Sequence, residues 1–378
     1  MKHTNCILGV IVLAFIGAAK AAESVTGGDE IDYMPSVIRS SDDGARIVVF
    51  ERLNASTFAG DLLLTRSTDG GANWTIPLPV IASAASERHP SLLQLGPASY
   101  ALFYLKGTGS NSSYRLWRAT STDGVAFTEQ NQLDLGWATG GEVNPHVVRL
   151  ADGTLTMSYQ RLPTGSYVAV SSDGGVTWDT FKTLIASGSQ LPRIAYRDSD
   201  GLYLASYQVG SSALSMYVKT THDVRDWSAP RQDFAVAGNN HDSLPAVMPD
   251  GAFALFWIRG NGSGFDLAVR RSADGVTWSD AIALTDTPDE DDVEPHPLVG
   301  TSSTEVELYW GRDVPTGSLA HDIVREAHAP VVFDAIFDEG FVYAQGVAPA
   351  GTTQVRMLCT TNVETQINNR SIISIPVG

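Results

Sequence analysis

Short apolar runs separated by polar turns fill the chain, and they fall into groups of four. Each group begins at a proline and a short apolar run, and a turn follows, as at Asp152-Gly153. The second run ends in an aromatic residue and, in most groups, a basic one, as in Tyr159-Gln160-Arg161. The opening prolines are Pro35, Pro90, Pro145, Pro192, Pro245 and Pro297. Six groups of four short strands predict an all-β fold, a six-bladed β-propeller with four-stranded antiparallel blades.

A polar turn between the third and fourth runs repeats at a nearly fixed spacing. One copy is Ser171-Ser172-Asp173-Gly174-Gly175-Val176-Thr177-Trp178. The aspartates of the five copies, which are 54, 50, 50 and 51 residues apart, are Asp69, Asp123, Asp173, Asp223 and Asp274. In such turns Ser and Asp side chains accept hydrogen bonds from backbone N–H groups, and Gly adopts positive φ. We expect the aromatic residue to anchor the turn between blades. A period near 50 residues indicates an array of supersecondary units.

Residues 1–22 have the features of a secretory signal peptide: Lys2 precedes an apolar run from Cys6 to Ala18, and small residues follow. The run is too short to span a membrane, and no later segment has the required apolar length. Without this segment Cys359 is the only cysteine, so no intramolecular disulfide is expected. We expect a secreted or periplasmic monomer, with a propeller over residues 23–340 and either a closing strand or a tail over residues 341–378.

The chain is acidic, with a formal net charge of -17 and a pI near 4.7. This charge argues against nucleic acid or an anionic membrane as the partner. The sequence has no phosphate-binding glycine loop and no Cys/His zinc pattern, so we expect no cofactor and no metal. The acidic loop Asp289–Glu294 matches no calcium-loop spacing, and we interpret it as a solvated loop.

In an up-and-down blade, the start of the first strand and the end of the second lie on one face of the propeller, and the polar turns lie on the other. The first face therefore collects histidines and carboxylates together with cations. The candidate catalytic residues on it are His89, Glu142, His146, Tyr159, His241, Asp242 and Glu294. The candidate anion-binding residues are Arg52, Arg88, Arg161, Arg259 and Arg312. Alternatively, the cations only pair with nearby carboxylates such as Glu51, Glu87, Glu142 and Asp313.

The five polar turns resemble the Asp-box (BNR) repeats of the sialidase superfamily, over about residues 30–330. The resemblance implies a six-bladed propeller and a secreted, glycan-active protein. By their positions at the ends of second strands, Arg52, Arg161 and Arg259 resemble arginines of the sialidase carboxylate-binding triad. Glu142 or Glu294 resembles the glutamate that assists the sialidase nucleophile.

The sequence departs from the sialidase pattern at three places. Tyr33-Met34-Pro35 stands where sialidases have Arg-Ile-Pro, although Arg88-His89-Pro90 has an arginine at this spacing in the second blade. The acid/base aspartate is absent from the loop after Arg52, where the next carboxylate is Asp61. Glu294-Pro295-His296 stands where the tyrosine nucleophile belongs.

Three functions fit these residues. The first is a glycoside hydrolase that acts on an acidic glycan, with carboxyl groups drawn from Asp61, Glu142, Asp242 and Glu294. The second is a polysaccharide lyase that takes the proton beside a uronate carboxylate. Its base and its enolate-stabilising cation would come from His89, His146, His241, His296, Tyr159, Tyr207, Arg88 and Arg161. The third is a non-catalytic glycan-binding module. In each case the partner is an anionic oligo- or polysaccharide.

Overall fold

The computed structural model describes residues 22–211, 214–229, 232–233, 239–260, 264–286, 290–300, 306–313 and 320–328, and strands at 12–15, 334–338, 341–345, 354–360 and 370–376. The chain divides into two compact units, residues 23–327 and residues 1–22 with 328–378. Most of the predicted signal peptide lies outside the described residues. Where the chain is described, it has no helix long and apolar enough to cross a bilayer.

The described chain is all β apart from one 3-10 turn at Asn111–Ser113. The first fourteen strands are β1 (Val12–Phe15), β2 (Glu23–Ser24), β3 (Ile31–Arg39), β4 (Arg46–Leu53), β5 (Gly60–Ser67), β6 (Leu78–Ile81), β7 (Ser86–Gly96), β8 (Ser99–Gly107), β9 (Arg115–Ser121), β10 (Thr128–Gln132), β11 (Glu142–Arg149), β12 (Leu155–Arg161), β13 (Gly165–Ser171) and β14 (Thr183–Ser187). The others are β15 (Gln190–Arg197), β16 (Leu202–Val209), β17 (Ser215–Thr221), β18 (Gln232–Asp233), β19 (Asn240–Val247), β20 (Phe253–Gly260), β21 (Phe265–Ser272), β22 (Ile282–Ala283), β23 (Asp292–Val299), β24 (Val306–Asp313), β25 (His321–His328), β26 (Asp334–Asp338), β27 (Phe341–Gln345), β28 (Gln354–Thr360) and β29 (Arg370–Pro376).

The strands of the larger unit form six antiparallel groups, here called repeats I to VI. Repeats I to V are β3–β6, β7–β10, β11–β14, β15–β18 and β19–β22, and repeat VI is β23–β25 with β2. Glu23 pairs with Arg325 and Ser24 with Val324, so the fourth strand of repeat VI comes from the amino-terminal side. A parallel pairing of His321 with Ile31 joins repeats VI and I into one sheet.

The strands beyond residue 334 belong to the smaller unit. There β26 pairs with β27, and β28 lies between β1 and β29. Residues 341–378, for which the sequence leaves a closing strand or a tail, thus form described pairings only within this smaller unit.

The tryptophans of the polar turns pack against the preceding repeat. Trp178 of repeat III is 7% exposed and lies edge to face with Phe103 of repeat II, with ring centroids 5.6 Å apart. Trp74 of repeat I contacts Tyr309 of repeat VI in the same way at 6.1 Å. An edge-to-face aromatic pair adds about 0.5–1.5 kcal/mol to the stabilisation from area burial. These rings therefore help to set how neighbouring repeats pack.

The polar turns have the predicted hydrogen bonds. In repeat V, Asp274 Oδ1 accepts bonds from the backbone N–H groups of Val276 (2.8 Å) and Thr277 (2.7 Å). Ser272 Oγ accepts a bond from the backbone N–H of Gly275, whose φ is +72°. The bonds from Thr277 and Val276 lower the pKa of Asp274 to about 2, because they favour the ionised carboxylate.

Candidate active site where the first strands meet

Each first strand carries a β-bulge at the same position. In repeat I, Tyr33 pairs with Glu51 and Ser36 pairs with Val49, so two residues of β3 face one residue of β4. The same register shift occurs in β7, β11, β15, β19 and β23. A bulge bends its strand and redirects the side chains beside it. Six equivalent bulges therefore give six equivalent positions from which side chains can enter a common site.

The first bulged residue has a left-handed backbone in every repeat. These bulge residues are Met34 (φ 52°), His89 (52°), Asn144 (56°), Leu191 (47°), Asp242 (47°) and Glu294 (59°). For a residue other than glycine this conformation costs about 1–2 kcal/mol, and strained residues of this kind cluster at functional sites.

A proline follows five of the six bulge residues, and Ser243 follows the sixth. We predicted repeat openings at Pro245 and Pro297. The bulges show that the residues equivalent to Pro35 are Ser243 and Pro295, two positions earlier. The error arose because each strand has a proline two residues further on, and in β19 that proline, Pro245, is the only one.

The bulges surround one cavity. Its polar lining includes His89, His146, Arg193, Asp242, Glu294 and His296, one or two residues from each of five repeats. Repeat I contributes Met34, Pro35 and Ser36. All six first strands therefore reach this cavity, which we take as the candidate active site.

Side chains from the preceding repeat hold several bulge residues in place. The backbone N–H of His89 donates to Glu51 (2.8 Å), that of Leu191 to Gln160 (3.2 Å), and that of Asp242 to Gln208 (2.9 Å). These acceptors stand at equivalent positions near the ends of second strands.

The junction of repeats VI and I uses a different acceptor. In repeat VI the position of Glu51 is occupied by Gly311, which has no side chain. Glu294 supplies the acceptor instead, and its Oε2 receives a 2.5 Å hydrogen bond from the backbone N–H of Met34. Glu294 is therefore both a lining residue of the cavity and a link between two repeats.

A second set of bonds starts from the post-bulge residues, two positions after each bulge residue: Ser36, Ser91, His146, Arg193, Leu244 and His296. Ser36 Oγ accepts a bond from the N–H of Leu92 in the next repeat (2.9 Å), and Ser91 Oγ accepts one from Val147 (3.0 Å). His146 Nδ1 accepts one from Ile194 (3.3 Å). Each bond ties one first strand to the next.

Two junctions lack an acceptor of this kind. The post-bulge residues Arg193 and Leu244 cannot accept a hydrogen bond through their side chains. The residues that would donate to them, by analogy with Leu92, are Pro245 and Pro297, and proline has no N–H. At these two junctions the accepting side chain and the donating backbone N–H are both absent. The side chain of Arg193 is therefore not needed as an acceptor for the next repeat.

Burial controls the charge of the lining histidines. It lowers the pKa of His89 and of His296 to about 4, and the pKa of His146 well below its ordinary value. These imidazoles are therefore neutral at pH 7. Because Nδ1 of His146 accepts a hydrogen bond, the proton of its neutral ring is on Nε2.

Burial has the opposite effect on Glu294. It raises the pKa of this carboxyl group well above the ordinary value, and the negative charges of Asp242 and Glu51 raise it further. Burial lowers the pKa of Arg193, while Asp242 and Glu294 favour its charged form. An arginine side chain stays charged even so.

The five predicted anion-binding arginines do not contribute to the described lining of the cavity. Arg52 makes two bonds to Asp32 (2.6 and 2.8 Å), Arg312 makes two to Asp292 (2.7 and 3.0 Å), and Arg88 is bound to Glu51 at 2.7 Å. Arg161 donates to the backbone oxygen of Gly140 and to Thr139, and Arg259 lies 3.8 Å from Asp266. Many of these cations thus pair with carboxylates, as the alternative interpretation expected.

The predicted catalytic residues divide into two groups. His89, His146, Asp242 and Glu294 line the cavity. Glu142 instead pairs with Arg115 at 2.9 Å, the buried Tyr159 hydroxyl accepts a bond from Trp137, and His241 packs against Phe265.

Of the other lining residues, His296 was predicted from the sequence only as a candidate base of the lyase, and Arg193 was given no role. A signal was present for Arg193, which follows Pro192 as His146 follows Pro145. Within the acidic loop, Asp291 accepts a bond from the backbone of Phe265, and Asp292 holds Arg312. Asp289 lies outside the described residues.

Solved structures share this fold at low sequence identity. A protein of unknown function from Dyadobacter fermentans aligns with a TM-score of 0.66 and 14% identity, over 84% of this chain and 99% of that one. A Hadza microbial sialidase, Hz136, aligns with a TM-score of 0.62 and 17% identity, over 79% of this chain and 66% of that one. An α-L-arabinanase from Penicillium chrysogenum, solved with arabinobiose, aligns with a TM-score of 0.60 and 13% identity, over 83% of this chain and 98% of that one.

No curated protein sequence matches the chain. The resemblance to the sialidase superfamily is confirmed, because sialidases are among the structures that share the fold and a BNR repeat model matches the sequence. That model, the BNR repeat-like domain, covers residues 57–343. The chain therefore belongs to the BNR repeat-like domain family.

Proposed function

We propose that this protein is an exported six-bladed β-propeller with Asp-box turns, and that it is a glycoside hydrolase whose reaction takes place at the cavity. Six repeats whose first strands meet at one cavity support the propeller. The fold shared with a sialidase and an arabinanase supports a glycan as the substrate. Fold likeness alone does not define a reaction, so the residues of the cavity carry the argument.

The observation that carries the proposal is a pair of unlike carboxyl groups in one cavity. Asp242 and Glu294 lie on the neighbouring first strands β19 and β23, and the charge of Asp242 helps to keep Glu294 protonated. Glycoside hydrolysis needs one protonated and one ionised carboxyl group across the scissile bond. Glu294 would donate its proton to the leaving oxygen, and Asp242 would act as nucleophile or as base towards water.

The surrounding groups suit these roles. The bond from Met34 holds Oε2 of Glu294, so Oε1 is the oxygen available to carry the transferable proton. Gln208 fixes the backbone of Asp242, which keeps its carboxylate on the cavity side of the bulge. The Nε2–H of His146 can donate a hydrogen bond to a sugar hydroxyl.

One observation favours a polysaccharide lyase as a second candidate. Nδ1 of His89 is buried and has no hydrogen-bond partner in the described part of the chain. A neutral imidazole with a free nitrogen can remove the proton next to a uronate carboxylate, and Arg193 can stabilise the enolate that forms.

The test is to incubate the protein with a panel of plant, animal and microbial glycans and to analyse the products. A hydrolase releases reducing ends without the ultraviolet absorbance of an unsaturated uronate, whereas a lyase produces that absorbance. Glu294→Gln and Asp242→Asn should each lower the rate of the hydrolase reaction by about 10²- to 10⁴-fold, and Asp280→Asn, at an exposed carboxylate, should leave it unchanged. Glycan binding without any product would contradict both reactions and support a non-catalytic module.

A further inference from the structure

Among the described residues, Arg193 has no carboxylate partner within 4 Å, unlike four of the five predicted anion-binding arginines. Its side chain makes one hydrogen bond within the described part of the chain, to the backbone oxygen of the adjacent Pro192, at 3.2 Å. By contrast, Asp32 holds Arg52, and Asp292 holds Arg312. Arg193 lines the cavity, so most of its donors remain available to a molecule bound there.

The first strands accommodate an arginine at this position because a proline replaces the residue whose backbone N–H would need an acceptor there. At the junctions of repeats I to IV, a post-bulge side chain accepts the N–H of the next strand, as Ser91 does for Val147. An arginine at this position would leave that N–H without an acceptor, and an unpaired buried N–H lowers the free energy of unfolding. Pro245 removes the N–H, so Arg193 can enter the cavity without loss of a bond.

No described neighbour of Arg193 forms an ion pair with it. The positive charge of Arg193 contributes to the low pKa values of His89, His146 and His296, which places all three near it as neutral rings. The two carboxyl groups of the cavity, Asp242 and Glu294, favour the charged form of Arg193 without forming an ion pair with it, and burial raises the pKa of Glu294 well above its ordinary value.

We propose that Arg193 binds the carboxylate of a sugar acid in the substrate, and that it determines specificity for acidic glycans. The inference rests on the proposed function and deepens it. A guanidinium fork matches the two oxygens of a carboxylate through parallel hydrogen bonds. The Nε2–H of His146, which lines the same cavity, supplies a further donor for a hydroxyl group of the sugar. A neutral sugar offers no group that satisfies the fork in this way.

The test is isothermal titration of the full-length mature protein with single sugars. Glucuronate, galacturonate and N-acetylneuraminate are the acids, glucose and galactose are the neutral counterparts, and inorganic sulfate is the anion without a sugar. At least one acid should bind about ten- to a hundredfold more tightly than the neutral sugars. Arg193→Gln should remove this preference, and Arg193→Lys should keep part of it, because an ammonium group retains the charge but not the fork. Arg149→Gln, at an exposed arginine of β11, should leave it unchanged.

Equal binding of acidic and neutral sugars would overturn the proposal, and so would a preference that survives in Arg193→Gln or binding of sulfate alone. The proposed function is tested separately with Glu294→Gln, which should lose turnover. Arg193-dependent binding in a protein that cleaves no glycan would support this inference and reject the hydrolase. Cleavage of neutral glycans that Arg193→Gln does not affect would support the hydrolase and reject this inference.

Discussion

The backbone N–H of Met34 donates a 2.5 Å hydrogen bond to Oε2 of Glu294, so a carboxyl group of the cavity also joins repeat VI to repeat I. The two roles can be separated, because glutamine retains an oxygen that accepts this bond but has no transferable proton. We expect Glu294→Gln to fold with unchanged thermal stability and to lower kcat about 10²- to 10⁴-fold. Glu294→Ala should lower kcat as much and also destabilise the protein by about 1–3 kcal/mol. Equal activity of Glu294→Gln and the parent protein would reject Glu294 as the acid.

The raised pKa of Glu294 should set the alkaline limit of the proposed hydrolase reaction. A general acid works only while protonated, so kcat/KM should fall as the pH rises through the pKa of Glu294 in the free enzyme. Asp242→Asn removes the negative charge that helps to raise this pKa, so any residual activity should show an alkaline limb shifted to lower pH. An alkaline limb that stays in place in Asp242→Asn would show that the two carboxyl groups do not interact.

Because of the buried histidines, the free energy of unfolding should depend on pH in the mildly acidic range. His89 and His296 have pKa values of about 4 in the folded protein, below the ordinary value of 6.5. Between these values the unfolded chain binds protons that the folded protein does not, so the free energy of unfolding should fall as the pH falls from 6.5 to 4. Urea unfolding at several pH values measures this slope. His296→Gln should reduce the slope, whereas replacement of the exposed His222 should not change it.

The match between Arg193 and Pro245 predicts a coupled pair of substitutions. Pro245→Ala restores an N–H that has no acceptor, and this should destabilise the protein by about 1–3 kcal/mol. Arg193→Ser should recover most of that loss in the double variant, because it recreates the arrangement of Ser91 and Val147. Chemical unfolding of the two single variants and the double variant gives the coupling energy. Strictly additive effects would contradict the pairing.

The polar turns should affect stability and not activity. Asp274→Ala removes the acceptor for the backbone N–H groups of Val276 and Thr277 and should cost about 1 kcal/mol. Because the pKa of Asp274 is lowered to about 2, its contribution should be complete above pH 4 and should disappear as the pH falls towards 2. A normally folded Asp274→Ala protein without activity would show that this turn contributes to the reaction.

The amino-terminal strand β2 begins at the residue that follows the predicted signal peptide. Cleavage after the predicted signal peptide leaves Glu23 as the first residue, and Glu23 is the first residue of β2. Val25 and Thr26 both donate to the backbone oxygen of Ile323, and Glu23 pairs with Arg325 at 2.5 Å. Mass spectrometry of the secreted protein should find a first residue at or near Glu23. Deletion of residues 23–26 should lower the thermal midpoint, because repeat VI then loses its fourth strand.

The sequence by itself determined the features that depend on local order and repetition. The period near 50 residues predicted repeats of four strands, and the Ser, Asp and Gly of four of the five turns predicted their hydrogen bonds. The same period placed His89, His146, Asp242 and Glu294 on one face, and all four line the cavity. Such features are readable from sequence because turn geometry and strand alternation depend on residues close together in the chain.

Only the tertiary structure decided which cation enters the cavity. Arg52 and Arg312 carry the right charge on the right face, but cross-strand register places Asp32 and Asp292 directly opposite them. Register depends on the bulges, and a bulge depends on how two strands pair, so the sequence of the first strand alone does not reveal the register. Arg193 can stand at a position where other repeats have an accepting side chain because its partner position in the next repeat, about 50 residues later, is a proline without an N–H. That relation becomes visible only when neighbouring strands lie side by side.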